Sequence, residues 1–377
     1  MTYRTGRNNP ALDMYNMIGF CPSEILKREA RFVFRNLVDA SDKEVMGIQN
    51  ELISFITQKV FKLSNRRAEG LVLHSGSEAN EVAMLLAKKK TGKRLVVTSN
   101  LGHISIKRAC EKLGMDILSL DVDTNTFRVN QAKLRQVLKK HIDKIALLNI
   151  TYGTTNFGTG EDFEFNEEIA ILCRESRVWV HVDAAYGGFI MNLSGYGDRA
   201  WQTSSLTYSI TVDPHKFIGV LGCGVLLLAN PQDKKLIGPE VTYFRGNTTA
   251  LGTTRSAYPA AVALATMKQF GISGLKKLAK LCVMNAQLVG RRLEETGLSV
   301  VAPIRSGLVP IALNSERDIE YVRTGLLKRG FKVSPINISG GDYQILGIRI
   351  VVTPNPLRKL SNLIAFTKAL IDIHKTV

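Results

Sequence analysis

Short apolar runs alternate with amphipathic stretches between residues 71 and 228, and this alternation is the strongest pattern in the chain. Most runs are apolar without interruption, which predicts strands that are buried on both faces. The stretches between them repeat their apolar positions with the period of a helix. The predicted strands are residues 71–73, 94–98, 116–120, 145–150, 178–182, 209–212 and 225–228. The pattern therefore predicts an α/β fold with a mainly parallel seven-stranded sheet between helices.

Helices are predicted between these strands and on both sides of them. They cover residues 23–37, 43–61, 78–90, 104–113, 130–140 and 166–175, and a long helical region runs from about 260 to 295. Beyond it, strands at 308–313, 332–335 and 348–352 are mixed with helices at 318–328 and 357–374, which is typical of a smaller α+β domain. We expect an N-terminal arm with helices at 1–50, a large domain at 51–275 and a C-terminal domain at 276–377.

The composition narrows the class of protein. Of the 377 residues, 45% are hydrophobic and 22% are charged, which is ordinary for a globular protein and excludes disorder of the whole chain. The net charge of +17 is less ordinary. It leaves nucleic acid, an anionic membrane surface and anionic small molecules open as partners, beside a merely basic surface. The basic residues form no dense block, which argues against a nucleic-acid-binding arm.

Cysteine usage and hydropathy indicate a cytoplasmic protein. The five cysteines are widely spaced and form no CxxC pair, so neither a zinc site nor a disulfide framework is predicted. The N-terminal residues lack the apolar core of a signal peptide. The longest apolar stretch, at about 219–229, is too short to cross a bilayer, so no membrane association is expected.

The segment SITVDPHKFIGVLGCGVLLL, which begins at Ser209, contains a candidate catalytic lysine. Lys216 follows a predicted strand and precedes a glycine-rich turn, a placement that lets its amine reach into a cleft and form a Schiff base. His215 next to it could donate to a phosphate. By itself, the pair is more typical of an ordinary solvated lysine than of a catalytic one.

The segment VWVHVDAAYGGF places Asp183 at the end of a strongly apolar strand. Strand ends of this kind line ligand clefts in open α/β sheets. A carboxylate there is costly unless it is paired, and a protonated pyridine nitrogen is one suitable partner. Ala185 is small enough for a flat ring to lie against it. The alternative is an aspartate that caps a helix or a turn.

The turn from His74 to Ser77 feeds a predicted helix and is rich in small and hydroxyl residues. The free N–H groups and the positive dipole at the start of a helix bind phosphate, although many such turns only cap their helix. A phosphate cradle, a carboxylate for a pyridinium nitrogen and a Schiff-base lysine together predict a site for pyridoxal 5′-phosphate (PLP).

The motifs HVDAAYGGF and VDPHKFIGVLGCGVLL resemble those of the group II PLP-dependent decarboxylases, which act on glutamate, aspartate, tyrosine and other aromatic amino acids. The resemblance runs from about residue 25 to 370 and is densest between 71 and 260. It implies the fold type I PLP-dependent transferase architecture, PLP as cofactor and decarboxylation of an acidic or aromatic L-amino acid. It also implies a homodimer with shared active sites.

The resemblance also implies roles for single residues around the cofactor. Ser75, Gly76 and Ser77 match the loop that holds the phosphate, with Ser75 in place of a usual glycine. Thr211 and His215 match positions near that phosphate.

The remaining cofactor contacts surround the ring. His103 matches the histidine stacked on one face, and Ala185 would pack on the other. Asp183 would hold the pyridinium nitrogen, and Thr154 would lie near the ring hydroxyl. Lys216 would carry the aldimine.

Three further residues match positions that serve the substrate or the second subunit. Arg349 would bind the substrate α-carboxylate, since guanidinium and carboxylate groups pair bidentately. Tyr243 would protonate the carbon that CO2 leaves. Thr254 would approach the cofactor phosphate of the partner subunit.

Two alternatives to a decarboxylase remain open at the level of sequence. One is another PLP lyase of the same fold, either an aldolase like sphingosine-phosphate lyase or a cysteine desulfurase with Cys223 as the reactive thiol. The other is a basic protein that acts with nucleic acid, which predicts salt-sensitive RNA binding.

Overall fold

A computed structural model describes residues 12–13, 19–63, 69–164, 166–197, 208–238, 252, 254–353 and 360–374. Within these ranges seven strands form one large sheet: β1 (Gly70–Leu73), β2 (Leu95–Ser99), β3 (Asp116–Leu120), β4 (Ile145–Thr151), β5 (Trp179–Asp183), β6 (Ser209–Val212) and β7 (Gly224–Leu228). Their order across the sheet is β1-β7-β6-β5-β4-β2-β3. β7 runs antiparallel to both of its neighbours, and the other pairs are parallel. The predicted, mainly parallel seven-stranded sheet is confirmed.

Helices connect these strands and cover the sheet. They are α1 (Ser23–Glu29), α2 (Lys43–Phe55), α3 (Gly76–Thr91), α4 (Ile104–Leu113), α5 (Gln131–His141), α6 (Glu167–Glu175) and α7 (Gly187–Ser194). Every residue of β4, β5, β6 and β7 is buried, which explains why their sequences are continuously apolar. The centre of the sheet therefore has no face in contact with water.

The C-terminal part of the chain forms a second, antiparallel sheet. The helix α8 (Tyr258–Glu294) leads into β8 (Leu308–Ala312), α9 (Glu316–Lys328), β9 (Ser334–Ser339), β10 (Gln344–Val351) and α10 (Leu360–His374). β10 lies between β9 and β8. Along α8, buried residues up to Val283 pack into the core of the large sheet, and those from Ala286 pack into the C-terminal core. The limits 1–50, 51–275 and 276–377 stay a prediction.

Two elements differ from the sequence-based expectation. The helix predicted at 23–37 ends at Glu29 and continues only as a 3-10 turn, Ala30–Phe32. Tertiary hydrogen bonds then hold the chain in another direction, since Leu37 N donates to Arg255 O and Ala257 N donates to Arg35 O. The second difference is α7, which the pattern missed. All of its residues are buried, so it shows no polar face.

Strand register brings three polar residues together at one edge of the sheet. Thr151 pairs with Asp183, and Asp183 pairs with Thr211, across β4, β5 and β6. Because parallel strands end at the same edge, the loops that follow them open into one crevice, the usual ligand position in open α/β sheets. This edge carries the candidate active site.

In the described part of the chain, no helix is long and apolar enough to cross a membrane.

Replacing Gly224 by alanine should destabilise the protein. A Cβ atom at this first residue of β7 would lie 2.3 Å from the carbonyl carbon of Ser75 and 2.8 Å from Gly76 N. Neither backbone atom can move without shifting the start of α3, so we expect the free energy of unfolding to fall by about 1–3 kcal/mol.

The matched control for this change is Gly47→Ala. Gly47 is an exposed residue of α2, and its added Cβ would meet nothing within 4 Å. This variant should be more stable than the wild type by up to about 1 kcal/mol. Thermal and urea unfolding of both variants measure the difference, and equal stabilities would contradict the close approach of β7 to α3.

Candidate active site

A cavity of about 350 Å³ opens at the carboxyl edge of the sheet, within the size range of small-molecule sites. The predicted site residues that line it are Gly76, Ser77, His103, Asp183, Ala185, His215, Lys216 and Arg349. The other lining residues, which were not predicted from the sequence, are Asn80, Thr151, Gly153, Thr155, Tyr186 and Leu221. The fold thus brings most of the predicted residues to one place.

Lys216 lies at the end of the 3-10 turn Pro214–Lys216, which follows β6. Its Nζ is 3.1 Å from Oδ2 of Asp213, and the two form an ion pair at the cavity wall. Asp213 is 2% exposed, and none of the described residues donates a hydrogen bond to its second oxygen, Oδ1, which is buried. The carboxylate therefore holds the amine of Lys216 at the cavity wall and can still accept from a further donor.

The orientation of His215 is fixed by the backbone of the glycine-rich turn. Its Nδ1 donates to the carbonyl oxygen of Cys223 over 2.6 Å, which leaves Nε2 3.7 Å from Asp213 Oδ2. Cys223 is fully buried, and burial raises the pKa of its thiol. A thiol of this kind is not a nucleophile, which argues against Cys223 as the reactive residue of a desulfurase.

The start of α3 forms the anion-binding part of the cavity. Ser75 is the N-cap, and its Oγ accepts from Glu78 N at 3.3 Å while the Glu78 carboxylate accepts from His74 N at 2.8 Å. Gly76 follows, where a Cβ would lie 2.7 Å from Asp213 Oδ2. Only glycine lets the backbone pass this close. The first N–H groups of a helix have no partner within it, so those of Gly76 and Ser77 are suited to a phosphate.

Asp183 is held at the cavity floor by donors to both of its oxygens. Oδ2 accepts from Asn80 Nδ2 at 2.8 Å, and Oδ1 accepts from the backbone N of Ala185 at 3.1 Å. The side chain of Asn80 projects from α3 and is 1% exposed. Asn80 was not predicted as a site residue, because an asparagine within a helix belongs to no sequence motif that indicates a cofactor site.

His103 caps the N-terminus of α4 and lines the cavity. Its Nδ1 accepts from the backbone N of Ser105 at 3.2 Å, and burial lowers the pKa of the imidazole. The ring is therefore neutral at physiological pH, which suits contact with an aromatic system.

Arg349 reaches the cavity from the central strand of the small sheet, β10. Its Nη1 donates to Thr155 O at 2.7 Å, and its Nη2 donates to Ser334 Oγ at 2.8 Å. These contacts tie the guanidinium to the loop after β4 and to β9. The C-terminal sheet thus supplies a cation to a site that is otherwise built by the large sheet.

Five predicted residues do not line the cavity or are not described. Ser75 directly precedes the lining residue Gly76 as the N-cap of α3. Thr154 is buried with its hydroxyl 2.8 Å from that of Thr159, and Thr151 and Thr155 line the cavity in its place. Thr211 is buried in β6 near His181, and Thr254 is exposed and does not line the cavity. Tyr243 lies outside the described residues.

The residues of the cavity fit PLP. The N–H groups at the start of α3 face one end of the cavity, where they favour a phosphate. A carboxylate held by two donors offers an acceptor to a protonated ring nitrogen, and the amine of Lys216 can bind an aldehyde. The cradle is also open at Gly76, where a Cβ would lie 2.7 Å from Asp213 Oδ2 and 3.0 Å from the Cβ of Ala185.

The sequence profile described as the pyridoxal-dependent decarboxylase conserved domain matches residues 44–311. The chain belongs to this family. It is therefore a PLP-dependent amino-acid decarboxylase, which confirms the enzyme class and the cofactor predicted from sequence.

Curated relatives of this decarboxylase differ in substrate. The probable L-tyrosine/L-aspartate decarboxylase of Methanocella arvoryzae is 28% identical over 273 residues, which span 71% of this chain and 70% of the relative. Serine decarboxylase 3 of Oryza sativa subsp. japonica is 24% identical over 329 residues, spanning 84% and 68%.

Solved structures confirm the fold type I architecture. A glutamate decarboxylase of Lactobacillus brevis superposes with a TM-score of 0.85 at 18% identity, covering 98% of this chain and 89% of that one. A sphingosine-1-phosphate lyase of Burkholderia pseudomallei gives 0.80 at 18% identity, covering 96% and 85%. At such identities the likeness shows the fold alone.

Acid should destabilise this decarboxylase through His181, which lies beneath the cavity. Burial lowers the pKa of His181 to about 4, whereas in an unfolded chain it is about 6.5. Between these values the unfolded chain binds the additional proton, so stability falls as pH falls from about 6.5 towards about 4.

The non-titrating variant His181→Gln tests this assignment. We expect the apo wild type to lose stability relative to the variant across that pH window, because all other groups titrate in both proteins. Thermal unfolding from neutral pH to about pH 4.5 gives the difference in stability. If stability depends on pH equally in both proteins, His181 binds its proton in the folded state as readily as in the unfolded chain, and the assignment is wrong.

Proposed function

We propose that this decarboxylase converts an L-amino acid, either acidic such as aspartate or glutamate or aromatic such as tyrosine, to its amine and CO2, and that Lys216 binds PLP covalently. One observation carries the proposal. The amine of Lys216 and the carboxylate of Asp183 line the same cavity, with the phosphate cradle of α3 at one side and Arg349 at another.

When bound, PLP supplies an electron sink that stabilises the charge left on Cα as CO2 departs. The protein residues position the reactants and handle protons. Asp183, fixed by Asn80 and Ala185 N, would accept a hydrogen bond from the ring nitrogen and would favour its protonated form. The N–H groups of Gly76 and Ser77 would hold the phosphate.

Proton transfer in this scheme centres on Lys216. Its Nζ is 3.1 Å from Asp213 Oδ2, so the carboxylate holds the amine at the cavity wall. From this position Lys216 would return a proton to Cα of the substrate. Tyr243, outside the described residues, is the second candidate proton donor.

Arg349 is proposed to bind the substrate carboxylate. The guanidinium has five N–H donors, and its hydrogen bonds to the Thr155 carbonyl and the Ser334 hydroxyl hold it in a fixed orientation. A fixed fork pairs bidentately with a carboxylate and so orients the bond that breaks.

The quaternary structure and location belong to the same proposal. Thr254 is exposed in this chain, in keeping with a position that approaches a second subunit's phosphate site in a homodimer. All five cysteines are free thiols, as expected in a reducing cytoplasm. The cavity is built for a small anionic molecule, so no nucleic acid partner is proposed.

The second candidate is another lyase reaction on this fold, cleavage of a phosphorylated amino alcohol. The structural likeness to a sphingosine-1-phosphate lyase supports the shared fold, which both reactions can use. The reaction assay below separates the two.

Replacing Lys216 by alanine should abolish the yellow colour of the PLP-loaded protein, because no amine remains to bind the aldehyde. CO2 release should fall by roughly a thousandfold or more. The measurement is CO2 release from aspartate, glutamate, tyrosine, phenylalanine, cysteate and cysteine sulfinate, together with the absorbance spectrum.

The control is Lys235→Ala, an exposed lysine outside the cavity, which should behave as the wild type. An unchanged spectrum in Lys216→Ala would refute the covalent role. Cleavage of a phosphorylated amino alcohol without CO2 release from any amino acid would establish the second candidate.

The variant Arg349→Lys should raise KM for the amino acid by about 10- to 100-fold, since a lysine ammonium cannot form the bidentate pair. The amine product lacks the α-carboxylate that Arg349 is proposed to bind, so it should inhibit wild type and variant equally. Steady-state kinetics measure both effects.

The matched control is Arg317→Lys, an exposed arginine of the same sheet domain. It should leave KM unchanged. If amine inhibition weakens as much as KM rises in Arg349→Lys, the residue shapes the cavity and does not recognise the carboxylate.

A further inference from the structure

A chain of hydrogen bonds runs beneath the cavity and ends at both proposed ring contacts. Asn80 is its branch point: its Nδ2 donates to Asp183 Oδ2 at 2.8 Å and to Ser105 Oγ at 3.0 Å. Its Oδ1 lies 3.0 Å from Nε2 of His181. Asn80, Ser105 and His181 are all buried, so water does not compete for these groups.

The direction of each bond follows from the carboxylate end. The carboxylate of Asp183 accepts from Asn80 Nδ2, so the amide oxygen of Asn80 faces His181. Nε2 of His181 must then be the donor. Thr211 Oγ1, at 3.4 Å from the same nitrogen, is a weaker alternative acceptor.

The hydrogen bonds at the opposite end of this network, from Trp179 to His181, give the same donor and acceptor assignment for His181. Burial keeps His181 neutral by lowering its pKa to about 4, so a proton on Nε2 makes Nδ1 an acceptor. Ser209 Oγ lies 2.8 Å from Nδ1 and donates to it. Trp179 Nε1, which can only donate, supplies the bond that Ser209 Oγ accepts, at 2.7 Å.

The second branch reaches His103. Ser105 Oγ accepts from Asn80, so its own hydrogen is free for His103 Nδ1, which is 2.8 Å away. The backbone N of Ser105 donates to the same Nδ1 at 3.2 Å. A nitrogen that accepts two hydrogen bonds carries no proton, which leaves the proton of the neutral ring on Nε2.

We infer that Asn80 is a positioning residue that orients the carboxylate of Asp183 and, through Ser105, sets the tautomer of His103 with its proton on Nε2. The functional meaning rests on the proposed roles of Asp183 and His103 towards PLP. The hydrogen-bond directions do not, because they follow from the protein alone. The amide of Asn80 thus couples Asp183, proposed to contact the ring nitrogen of PLP, to His103, proposed to lie on the face of the ring.

The first test is the tautomer of His103 in the apo protein. Long-range proton–nitrogen correlation spectra of protein with nitrogen-15-labelled histidine distinguish Nε2–H from Nδ1–H, and His103→Gln assigns the signal. We expect Nε2–H in the wild type and a measurable additional Nδ1–H population in Ser105→Ala, where only the longer bond from the backbone N of residue 105 remains. A wild-type signal from Nδ1–H would overturn the inference.

The second test compares two buried asparagines that are replaced by aspartate. Asn80→Asp removes the donor to both branches and should weaken PLP binding about tenfold or more, the loss expected for a hydrogen bond to a charged group. Asn149→Asp, in β4, places a carboxylate at an equally buried position, which pairs with His181 in the strand register but makes no hydrogen bond to Asn80, Asp183 or Ser105. PLP titration by absorbance and the protonation of nitrogen-15-labelled PLP are the readouts.

We expect less protonation of the ring nitrogen in Asn80→Asp than in Asn149→Asp, and unchanged protonation in Ser105→Ala, which leaves the bond from Asn80 to Asp183 intact. Equal effects of the two aspartate variants would show that Asn80 has only a structural role. If Asn80→Asp does not fold, the wild type and Ser105→Ala still decide the tautomer. Failure of the CO2 assay would refute the proposed reaction and leave these spectra unaffected.

Discussion

A buried carboxylate at the end of a parallel strand is the constraint on which this site depends. Asp183 is 4% exposed, and a charge in such surroundings is costly unless donors and a positive partner face it. The amide of Asn80 and the backbone N of Ala185 supply the donors. The pyridinium nitrogen of PLP would supply the charge, so the protein is built to be completed by its cofactor.

The topology of the sheet provides the position for this carboxylate. Parallel β4, β5 and β6 end together, and the turn after β6 carries Lys216 to the same edge. The antiparallel β7 then returns beside β1 and brings Gly224 against Ser75, at the start of α3. Arg349, from a separate sheet, completes the site. Of the 50 lysines and arginines, Lys216 and Arg349 are the ones that line the cavity in the part of the chain that the structure describes, so the cavity accounts for little of the net charge of +17 there.

The strands and most helices could be predicted from the sequence because buried parallel strands leave continuous apolar runs. The bounds of α4 and β3 agree with the prediction to the residue. The helix α7 was missed because a helix buried on all sides has no polar period. The residues after Phe32 were wrongly predicted as helical, since their backbone bonds to Arg255 and Ala257 come from a distant part of the chain.

The same division applies to the active site. Lys216, Asp183 and Gly76 could be found from sequence because each lies in a local motif, a strand end or a helix start whose chemistry depends on neighbours in the chain. Asn80 and Asp213 could not, because their partners are set by strand pairing and by the packing of α3 on the sheet. The sequence by itself determined the fold class, the family and the cofactor. Only the tertiary structure decided which oxygen and nitrogen atoms form hydrogen bonds around Asp183 and His103. The direction of each bond in a buried network depends on the donors and acceptors of all the other residues in it.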